Sequence, residues 1–295
     1  MSGKVSVIIP SFNGEKYIIQ TLQSVFDQSY QNIEIIVVDD GSTDSTLETI
    51  NPYMDRIRLI QQPNSGVSAA RNSGIAAARG DYIMFLDADD LLHSEAIERR
   101  MQILLSEKSN IVVGGVVAFS GETPSPEDKL YSFKLDTENL FYCALKGFSP
   151  QGCLIEKVVF NQVGLFDPFI KGGEDTDFFI RASLKAKISY DPHASVYYRQ
   201  HFASASNKFG MMLTDRKKIF KKNSIYAQNK ALYWWYCQLS LINLLGYLAM
   251  QASTNTSSNQ SFSKSALKLL INQPTTFAHV LLLLVKKTLG NFKKR

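Results

Sequence analysis

Up to residue 117 the chain alternates between two hydrophobic periods, and this alternation restricts the possible folds more than any other feature. Continuous apolar runs, rich in β-branched residues, predict buried strands at Val5–Ile9, Ile33–Val38, Arg56–Ile60, Tyr82–Leu86 and Ile111–Val117. Apolar residues at helical spacing predict intervening helices over Tyr17–Phe26, Ser45–Ile50, Val67–Ala78 and Ser94–Leu105. Strands buried on both faces that alternate with helices indicate an α/β fold with a doubly wound, mostly parallel sheet.

Polar clusters follow three of these strands at the point where each strand ends. They are Ser11–Gly14, Asp39–Ser42 and Asp87–Asp90. Open sheets of this type bind ligands outside the carboxyl ends of their strands, so we expect the site at this edge. The first strand–helix unit lacks the GxGxxG fingerprint, which disfavours dinucleotide binding of that kind, and the chain has no GxxxxGK[ST] P-loop.

The cluster after the second strand combines adjacent carboxylates with small polar residues. Asp39 emerges directly from a buried strand, where it can accept a hydrogen bond from a nucleobase imide N–H. Uracil, thymine and guanine all present such a group, and we favour uracil. A simple strand–helix turn, capped by Ser42 or Thr43, accounts for Asp40 onward but less well for Asp39.

The cluster FLDADD, Phe85–Asp90, delivers Asp87 and Asp89 at one strand end. Like charges that close repel unless a cation compensates them, and oxygen-only ligands favour Mg²⁺ or Mn²⁺. An acidic turn or helix cap is the alternative, because a D-x-D sequence alone is common. The position after an apolar strand favours a metal site.

A second acidic cluster, GGEDTDF, lies at the start of a predicted helix. A carboxylate there, from Glu174 or Asp175, is a candidate general base for a substrate hydroxyl. Acidic residues also stabilise helix N-termini, and this role suits Asp177, which we expect to pair with Arg181 at i,i+4.

Two further residues, Arg71 and His201, have too few polar neighbours in the sequence to be assigned from the residues alone. In NSGVSAARNSG, small residues let the helix approach the sheet, and Arg71 is placed to reach a phosphate or base at the strand ends. His201 follows a strand-like segment beside Arg199, which makes it a candidate metal or phosphate contact. The other histidines, His93, His193 and His279, are expected to be structural or superficial.

Taken together, five segments resemble the family 2 glycosyltransferases of GT-A fold, in the order in which that family carries them. The segments are VSVIIPSFNGEKYI, IEIIVVDDGSTDST, PNSGVSAARNSG, GDYIMFLDADD and GGEDTDFFIR. The resemblance covers roughly residues 4–206. It implies an inverting, metal-dependent transfer of a sugar from a nucleoside diphosphate sugar to an acceptor hydroxyl. The chain lacks the Q-x-x-R-W motif of processive synthases, so single addition is expected.

The resemblance also implies a role for each matching residue. It places Asp39 on the nucleobase, lined by Pro10, Phe12 and Glu15, with Arg71 holding the nucleotide. It places Asp87 on the ribose or the metal, Asp89 on the Mn²⁺ or Mg²⁺, and His201 near the metal or diphosphate. Asp175 is the implied base, with Glu174 beside it.

Opposite charges divide the chain near residue 207. Residues 1–207 carry 18 basic and 26 acidic side chains, whereas residues 208–295 carry 14 basic side chains and one acidic residue, Asp215. Such asymmetry indicates two parts that face different partners. We expect a catalytic domain at 1–207, with a nucleotide-sugar-binding half (1–117) and an acceptor-side half (118–207), in which residues 118–139 form a loop. A basic, helical C-terminal extension then covers 208–295.

The extension suggests attachment to a membrane surface. Residues 231–250 carry no formal charge and are long enough to span a bilayer, at about 20 residues. Gln238, Ser240 and Asn243 interrupt the run, so a buried or interfacial helix is at least as good an interpretation as a membrane span. Residues 277–285 and the lysines after them are typical of an amphipathic anchor on an anionic leaflet. A helical cap on the catalytic domain or on a second protomer is the alternative.

These features predict a cytoplasmic enzyme that is peripheral on the inner face of the membrane and acts on a glycan or lipid-linked saccharide. The three widely spaced cysteines agree with a reducing compartment. A catalytically idle nucleotide-sugar-binding or scaffolding protein is the main alternative, and a homo-oligomer is left open. A nucleotidyltransferase would leave GGEDTDF without a role. Nucleic acid is not expected as a partner, because the aromatic residues of the extension are not interleaved with lysines.

Overall fold

The computed structural model describes residues 3–125, 127–131, 140–146, 150–200 and 209–227, together with Lys230, Tyr233 and Cys237. The chain divides into two compact units, residues 1–207 and 208–295. All the candidate catalytic, donor-binding and metal-binding residues lie in the first unit. One of them, His201, falls outside the described residues.

The first unit begins with the predicted alternation of strands and helices. Its first four strands, which run parallel, are β1 (Val5–Ser11), β2 (Ile33–Asp39), β3 (Arg58–Gln61) and β4 (Tyr82–Phe85). The connecting helices are α1 (Ile18–Phe26), α2 (Thr46–Ile50) and α3 (Val67–Ala77), with a 3₁₀ turn at Asn51–Tyr53. These elements confirm the order that the hydrophobic pattern predicts, with each boundary within two residues of the prediction.

The remainder of the first unit adds strands of both directions to the same sheet. Its strands are β5 (Leu91–Leu92), β6 (Ile111–Phe119), β7 (Lys129–Tyr131), β8 (Leu154–Glu156) and β9 (Ile188–Arg199). Its helices are α4 (Ala96–Glu107), α5 (Leu140–Lys146), α6 (Lys157–Val163) and α7 (Glu174–Ala182). Within the described residues the strand order is β3-β2-β1-β4-β8-β6-β9-β5, with β7 on β6.

Two segments of this second part differ most from the prediction. The strand-like segment expected before His201 is the end of a longer strand, which begins at Ile188 and pairs with β6 along its length, with irregular register opposite Gly114 and Gly115. The loop expected over residues 118–139 contains β7, which runs antiparallel to β6. That segment is short and mixed in polarity, so it shows neither the period of a buried strand nor that of a helix.

The core of the first unit lies on both faces of the parallel strands, which explains their continuous apolar sequence. Val5, Val7, Ile8 and Ile9 are all fully buried in β1. Helix α3 packs close to this strand because it carries Gly74, where a β-carbon would come within 2.3 Å of a methyl group of Ile8. The small residues of α3 therefore serve helix–sheet packing, as the sequence predicts.

The second unit is described over one helix and a few residues beyond it. Helix α8 (Phe209–Asn223) is followed by a 3₁₀ turn at Ser224–Tyr226. In the described part of the chain, no helix combines the length and the apolar character needed to cross a bilayer. The apolar stretch at 231–250, apart from Tyr233 and Cys237, and the predicted anchor at 277–285 lie outside the described residues.

Candidate functional site

The site lies at the edge of the sheet where β1, β2 and β4 end. Asp39, the last residue of β2, pairs in register with Ser11 of β1, and each is only 2% exposed. One carboxylate oxygen of Asp39, Oδ2, accepts a hydrogen bond from the Ser42 N–H at 3.2 Å. Its Oδ1 and the Ser11 Oγ are buried without a hydrogen-bond partner among the described residues. Buried oxygens of this kind are costly unless another molecule supplies a donor.

Asp40, the adjacent carboxylate, is saturated by the protein itself. Its Oδ1 accepts hydrogen bonds from the Gln62 side chain at 2.7 Å and from the Ser65 N–H at 2.9 Å. Its Oδ2 accepts from the Gly66 N–H at 2.7 Å, immediately before α3 begins. Asp40 therefore shapes the backbone that leads into α3, which agrees with a structural rather than a ligand-binding role.

The expected cap of α2 by Ser42 or Thr43 is wrong. The helix begins later, at Thr46, and the Ser42 Oγ instead accepts from the Asn13 N–H at 2.9 Å. The Thr43 N–H donates to the Asn13 side chain at 2.8 Å. Asn13 has a left-handed backbone, with φ 54°, which turns its polar groups toward the neighbouring loop. Ser42 and Thr43 therefore join the ends of β1 and β2.

The other residues expected around the nucleobase lie nearby but in different environments. Pro10 is buried within β1 opposite Val38, and the side chain of Phe12 is 51% exposed. The carboxylate of Glu15 accepts a hydrogen bond from the Ser45 N–H at 2.8 Å. Phe12, directly after Ser11, thus has an exposed ring, whereas Glu15 is engaged in holding the loop before α2.

The acidic segment after β4 is held by side chains from distant parts of the chain. Asp87 accepts from Arg71 Nη2 at 3.1 Å and from the side-chain amide of Gln151. Arg199 is buried, and its Nε donates to the backbone oxygen of Asp89 at 2.8 Å. Gln151 did not stand out in the sequence, because a single glutamine after a proline carries no pattern.

Negative charge is concentrated in this segment. Asp90 is fully buried, and its Oδ1 accepts from the Arg199 N–H at 2.8 Å, while Oδ2 lacks a partner within the described chain. Burial, together with the charges of Asp89 and Asp87, raises the pKa of Asp90 well above its usual value. Three carboxylates therefore repel one another at the end of β4.

The ligand atoms that this segment offers are carboxylate oxygens, which Mg²⁺ and Mn²⁺ prefer, and a cation would relieve the repulsion of Asp90 by Asp89 and Asp87. No group of three or more histidine, cysteine, aspartate or glutamate side chains is arranged as a metal site within the described residues. His201, the third predicted ligand, lies outside them.

Helix α7 brings the second acidic cluster to the site. It begins after Gly173, whose φ of 91° is a left-handed conformation that suits glycine, and carries three acidic residues in its first turn. Asp177 is buried and pairs with Arg181, with the Nε–Oδ2 distance at 3.1 Å, which confirms the predicted i,i+4 pair. The carboxylate of Asp175 is half-buried and accepts from the Thr176 N–H at 2.6 Å.

Arg71 connects the two acidic clusters. Its Nη2 pairs with Asp87 Oδ1 at 3.1 Å, and its Nη1 pairs with Glu174 Oε1 at 2.7 Å. Burial and the charge of Asp175 raise the pKa of Glu174, although the Arg71 charge opposes this shift. The family resemblance implied that the two clusters share one site, but the sequence did not predict this ion-pair bridge, since it joins residues 103 positions apart.

Comparison with known proteins identifies the family. The model of glycosyl transferase family 2 matches residues 6–164. A glycosyltransferase of Haemophilus influenzae is 33% identical over 238 residues, which are 78% of this chain and 93% of that protein. A glycosyltransferase of Rickettsia typhi is 34% identical over 69% of this chain but over only 66% of its own length, so this chain spans part of that longer protein.

Solved structures show the same fold. TarS of S. aureus (residues 1–349), solved in complex with UDP-GlcNAc, superposes with a TM-score of 0.66 over 89% of this chain and 79% of its own, at 21% identity. The mannosyltransferase PcManGT of Pyrobaculum calidifontis, in complex with GDP-Man and Mn²⁺, gives 0.60 over 97% of this chain and 87% of its own, at 16% identity. These likenesses confirm the GT-A type of α/β fold. The chain belongs to glycosyltransferase family 2.

Proposed function

We propose that this transferase moves a single sugar, with inversion, from a nucleoside diphosphate sugar to a hydroxyl of a glycan or lipid-linked saccharide. The observation that carries the proposal is the Arg71 bridge, because it brings the donor-side carboxylate Asp87 and the first turn of α7, with Asp175, to the same edge of the sheet. The two activities expected of these groups, donor binding and proton abstraction, require that proximity.

Donor binding is assigned to the end of β2. The buried Asp39 Oδ1, which has no hydrogen-bond partner among the described residues, accepts an imide N–H of the nucleobase. Pro10, Phe12 and Glu15 line the same pocket, and the half-exposed Phe12 ring offers a face on which a base can stack. Uracil and guanine both present the required N–H. We favour a UDP-sugar, as in the TarS complex with UDP-GlcNAc.

A divalent cation, Mn²⁺ or Mg²⁺, is assigned to the end of β4. Asp89 and Asp87 would hold it, with His201 as a further ligand. Such a cation supplies positive charge that stabilises the departing diphosphate. Asp90 is fully buried and accepts a hydrogen bond from the Arg199 N–H, so it keeps the segment in place.

The base is assigned to Asp175, with Glu174 beside it. Inversion requires attack on the anomeric carbon from the side opposite the leaving diphosphate, so the base faces the acceptor hydroxyl across the donor sugar. Asp175 takes the proton of that hydroxyl as the new glycosidic bond forms and the bond to the diphosphate breaks. Residues 1–117 thus hold the donor, and residues 118–207 hold the acceptor and the base.

The test is the substitution Asp175→Asn. A positioned general base is typically worth about 10²–10⁴-fold, so transfer should fall by that factor. Donor binding, measured by calorimetry with Mn²⁺ present, should stay within about twofold because Asp39 and Asp89 are untouched. Asp55→Asn, an exposed aspartate before β3, is the matched control and should change neither quantity.

Two results would overturn parts of this proposal. Near-wild-type turnover of Asp175→Asn would exclude Asp175 as the base. Donor binding by the wild-type protein, with neither transfer nor donor hydrolysis across a panel of acceptors, would favour the catalytically idle binding protein instead.

The basic extension is assigned to an anionic membrane surface on the cytoplasmic side. In α8 the buried side carries Ile219 and Phe220, whereas four exposed lysines share the other side: Lys217, Lys218, Lys221 and Lys222. The following turn exposes 72% of Ile225. A basic helix face followed by the exposed Ile225 and Tyr226 suits lipid headgroups better than nucleic acid, which would call for aromatic residues interleaved with the lysines.

Vesicle binding of the full chain tests this assignment. We expect sedimentation with phosphatidylglycerol vesicles but not with neutral phosphatidylcholine vesicles. The double substitution Lys217→Gln, Lys221→Gln should weaken binding about tenfold or more, since each lysine contributes about 1 kcal/mol near an anionic surface. The matched control is Lys108→Gln, Lys185→Gln in the first unit, where both lysines are exposed. Equal losses in the two double variants would exclude the α8 surface.

A further inference from the structure

The guanidinium of Arg71 is almost completely enclosed. Only 4% of its side chain is exposed, and its two terminal nitrogens pair with Asp87 and Glu174. The rings of Phe85 and Phe166 lie 5.9 and 5.5 Å from the guanidinium carbon. The remaining nitrogen, Nε, is buried without a hydrogen-bond partner among the described residues. So little of this side chain reaches the surface that direct contact with a nucleotide is a poor explanation for it.

The two partners of Arg71 belong to opposite sides of the proposed reaction. Asp87 is on the donor side and is held from a second direction by the Gln151 amide. Glu174 opens α7, so its position fixes the next residue, Asp175. A planar guanidinium holds two carboxylates in a fixed geometry, which an ammonium group does not do.

We propose that Arg71 is a positioning residue, which sets the place of the base Asp175 relative to the donor-side carboxylate Asp87 through Glu174. This inference rests on the proposed function and differs from the role that family resemblance implies, a contact to the nucleotide. Arg71 acts at a distance from the reacting atoms: if Glu174 shifts, Asp175 shifts with it, and a displacement of about 1 Å can cost a hundredfold in rate.

Three variants separate the two roles. Arg71→Lys keeps the charge but offers a single point of contact, so we expect turnover to fall at least tenfold while the donor dissociation constant changes less than threefold. Gln151→Ala removes only the second support of Asp87 and should lower turnover less. Glu174→Gln combined with Arg71→Lys should lower turnover no further than the stronger single variant, because both changes break the same bridge.

A structural readout keeps the test independent of activity. Hydrogen exchange should become faster in the first turn of α7 in Arg71→Lys, whereas amides of α4 stay protected as in the wild type. Arg71→Met, which removes the charge altogether, is a second variant for the same exchange measurement. If it does not fold because Asp87 and Glu174 are left partly buried and unpaired, the double variant Arg71→Met, Glu174→Gln removes one of these charges and is measured instead.

The outcomes are distinct. A rise of tenfold or more in the donor dissociation constant of Arg71→Lys, with unchanged turnover and unchanged exchange in α7, would overturn the inference and restore the nucleotide contact. Multiplicative losses in the Arg71 and Glu174 variants would also overturn it. If the wild-type protein transfers no sugar, the proposed function fails, and exchange in α7 still decides whether Arg71 fixes that helix.

Discussion

Two acidic loops follow β2 and β4, the strands on either side of β1, and the protein satisfies their carboxylates in different ways. In the β2 loop (residues 39–45), Asp40 and Asp44 accept hydrogen bonds mostly from backbone N–H groups, those of Ser65, Gly66, Glu15 and Thr46. In the β4 loop (residues 87–90), the partners are the side chains of Arg71 and Gln151 and the backbone of Arg199, all from distant segments. Backbone donors fix the β2 loop without a counter-charge. In the β4 loop one cation, Arg71, pairs with Asp87 but is shared with Glu174, and Asp90 still experiences the negative charges of Asp89 and Asp87.

This difference determines which acidic residues are available for a ligand. Asp40 and Asp44 each already accept several hydrogen bonds. The carboxylate oxygen that the β2 loop leaves for a ligand is therefore Asp39 Oδ1. The β4 loop holds three mutually repelling carboxylates, which a cation would stabilise. Substitutions in the β4 loop should therefore affect ligands, and most substitutions in the β2 loop should affect stability.

The largest effect is expected for Asp89→Asn in the β4 loop. Stabilisation by a metal is worth several kcal/mol, so loss of the cation should reduce transfer a hundredfold or more. The free energy of unfolding without metal should not fall, because removal of one negative charge relieves the repulsion between Asp89 and Asp90. Donor calorimetry with and without Mn²⁺, together with thermal melts, checks both parts. An undiminished gain in donor affinity on adding Mn²⁺ would exclude Asp89 as a ligand.

Asp40→Ala in the β2 loop should show the reverse pattern. It removes the acceptor of three hydrogen bonds, two of them from the N–H groups of Ser65 and Gly66 that precede α3. Leaving such groups unsatisfied should lower the free energy of unfolding by about 2–4 kcal/mol, measured by urea denaturation. Metal dependence of donor binding in the folded variant should match the wild type. If Asp40→Ala instead abolished the gain in donor affinity on adding Mn²⁺ and left the free energy of unfolding unchanged, the distinction between the loops would be contradicted.

Asp39→Asn is the exception within the β2 loop. An amide can turn a donor toward the nucleobase N–H, so donor affinity should fall about 10–100-fold, the value of a hydrogen bond to a charged group. Stability should be close to that of the wild type, because only the Ser42 N–H bond is weakened. Calorimetry with a UDP-sugar and a GDP-sugar measures the loss for each base. Unchanged affinity for both would remove Asp39 from the donor site.

How far the sequence predicts this site depends on how local each contact is. The strands and helices up to residue 117 follow from hydrophobic period, and the acidic clusters follow from their place at strand ends. The pair Asp177–Arg181 was predictable because both residues lie on one helix face. Gln151, the Arg71 bridge and the register of Ser11 with Asp39 depend on how distant segments meet, and no periodicity encodes that.

The smallest effect, and a test of the β2 loop by pH, is expected for Asp44→Asn. Burial works to raise the pKa of Asp44, but hydrogen bonds from Thr46 and the Glu15 N–H outweigh it and lower that pKa below its usual value. A carboxylate with a lowered pKa stabilises the fold above the pKa of the unfolded chain, about 3.9, and this contribution is lost as the pH falls through the folded value.

The melting temperature of Asp44→Asn should therefore lie about 1–3 °C below that of the wild type at pH 7, a small shift because the group is partly exposed. The difference should shrink as melts are repeated from pH 5 down to pH 3.5. Asp55→Asn, on the exposed turn before β3, should show no such trend. If the gap between Asp44→Asn and the wild type stays constant over this range, hydrogen bonds to the ionised carboxylate are not what stabilises the β2 loop, and its contrast with the β4 loop weakens.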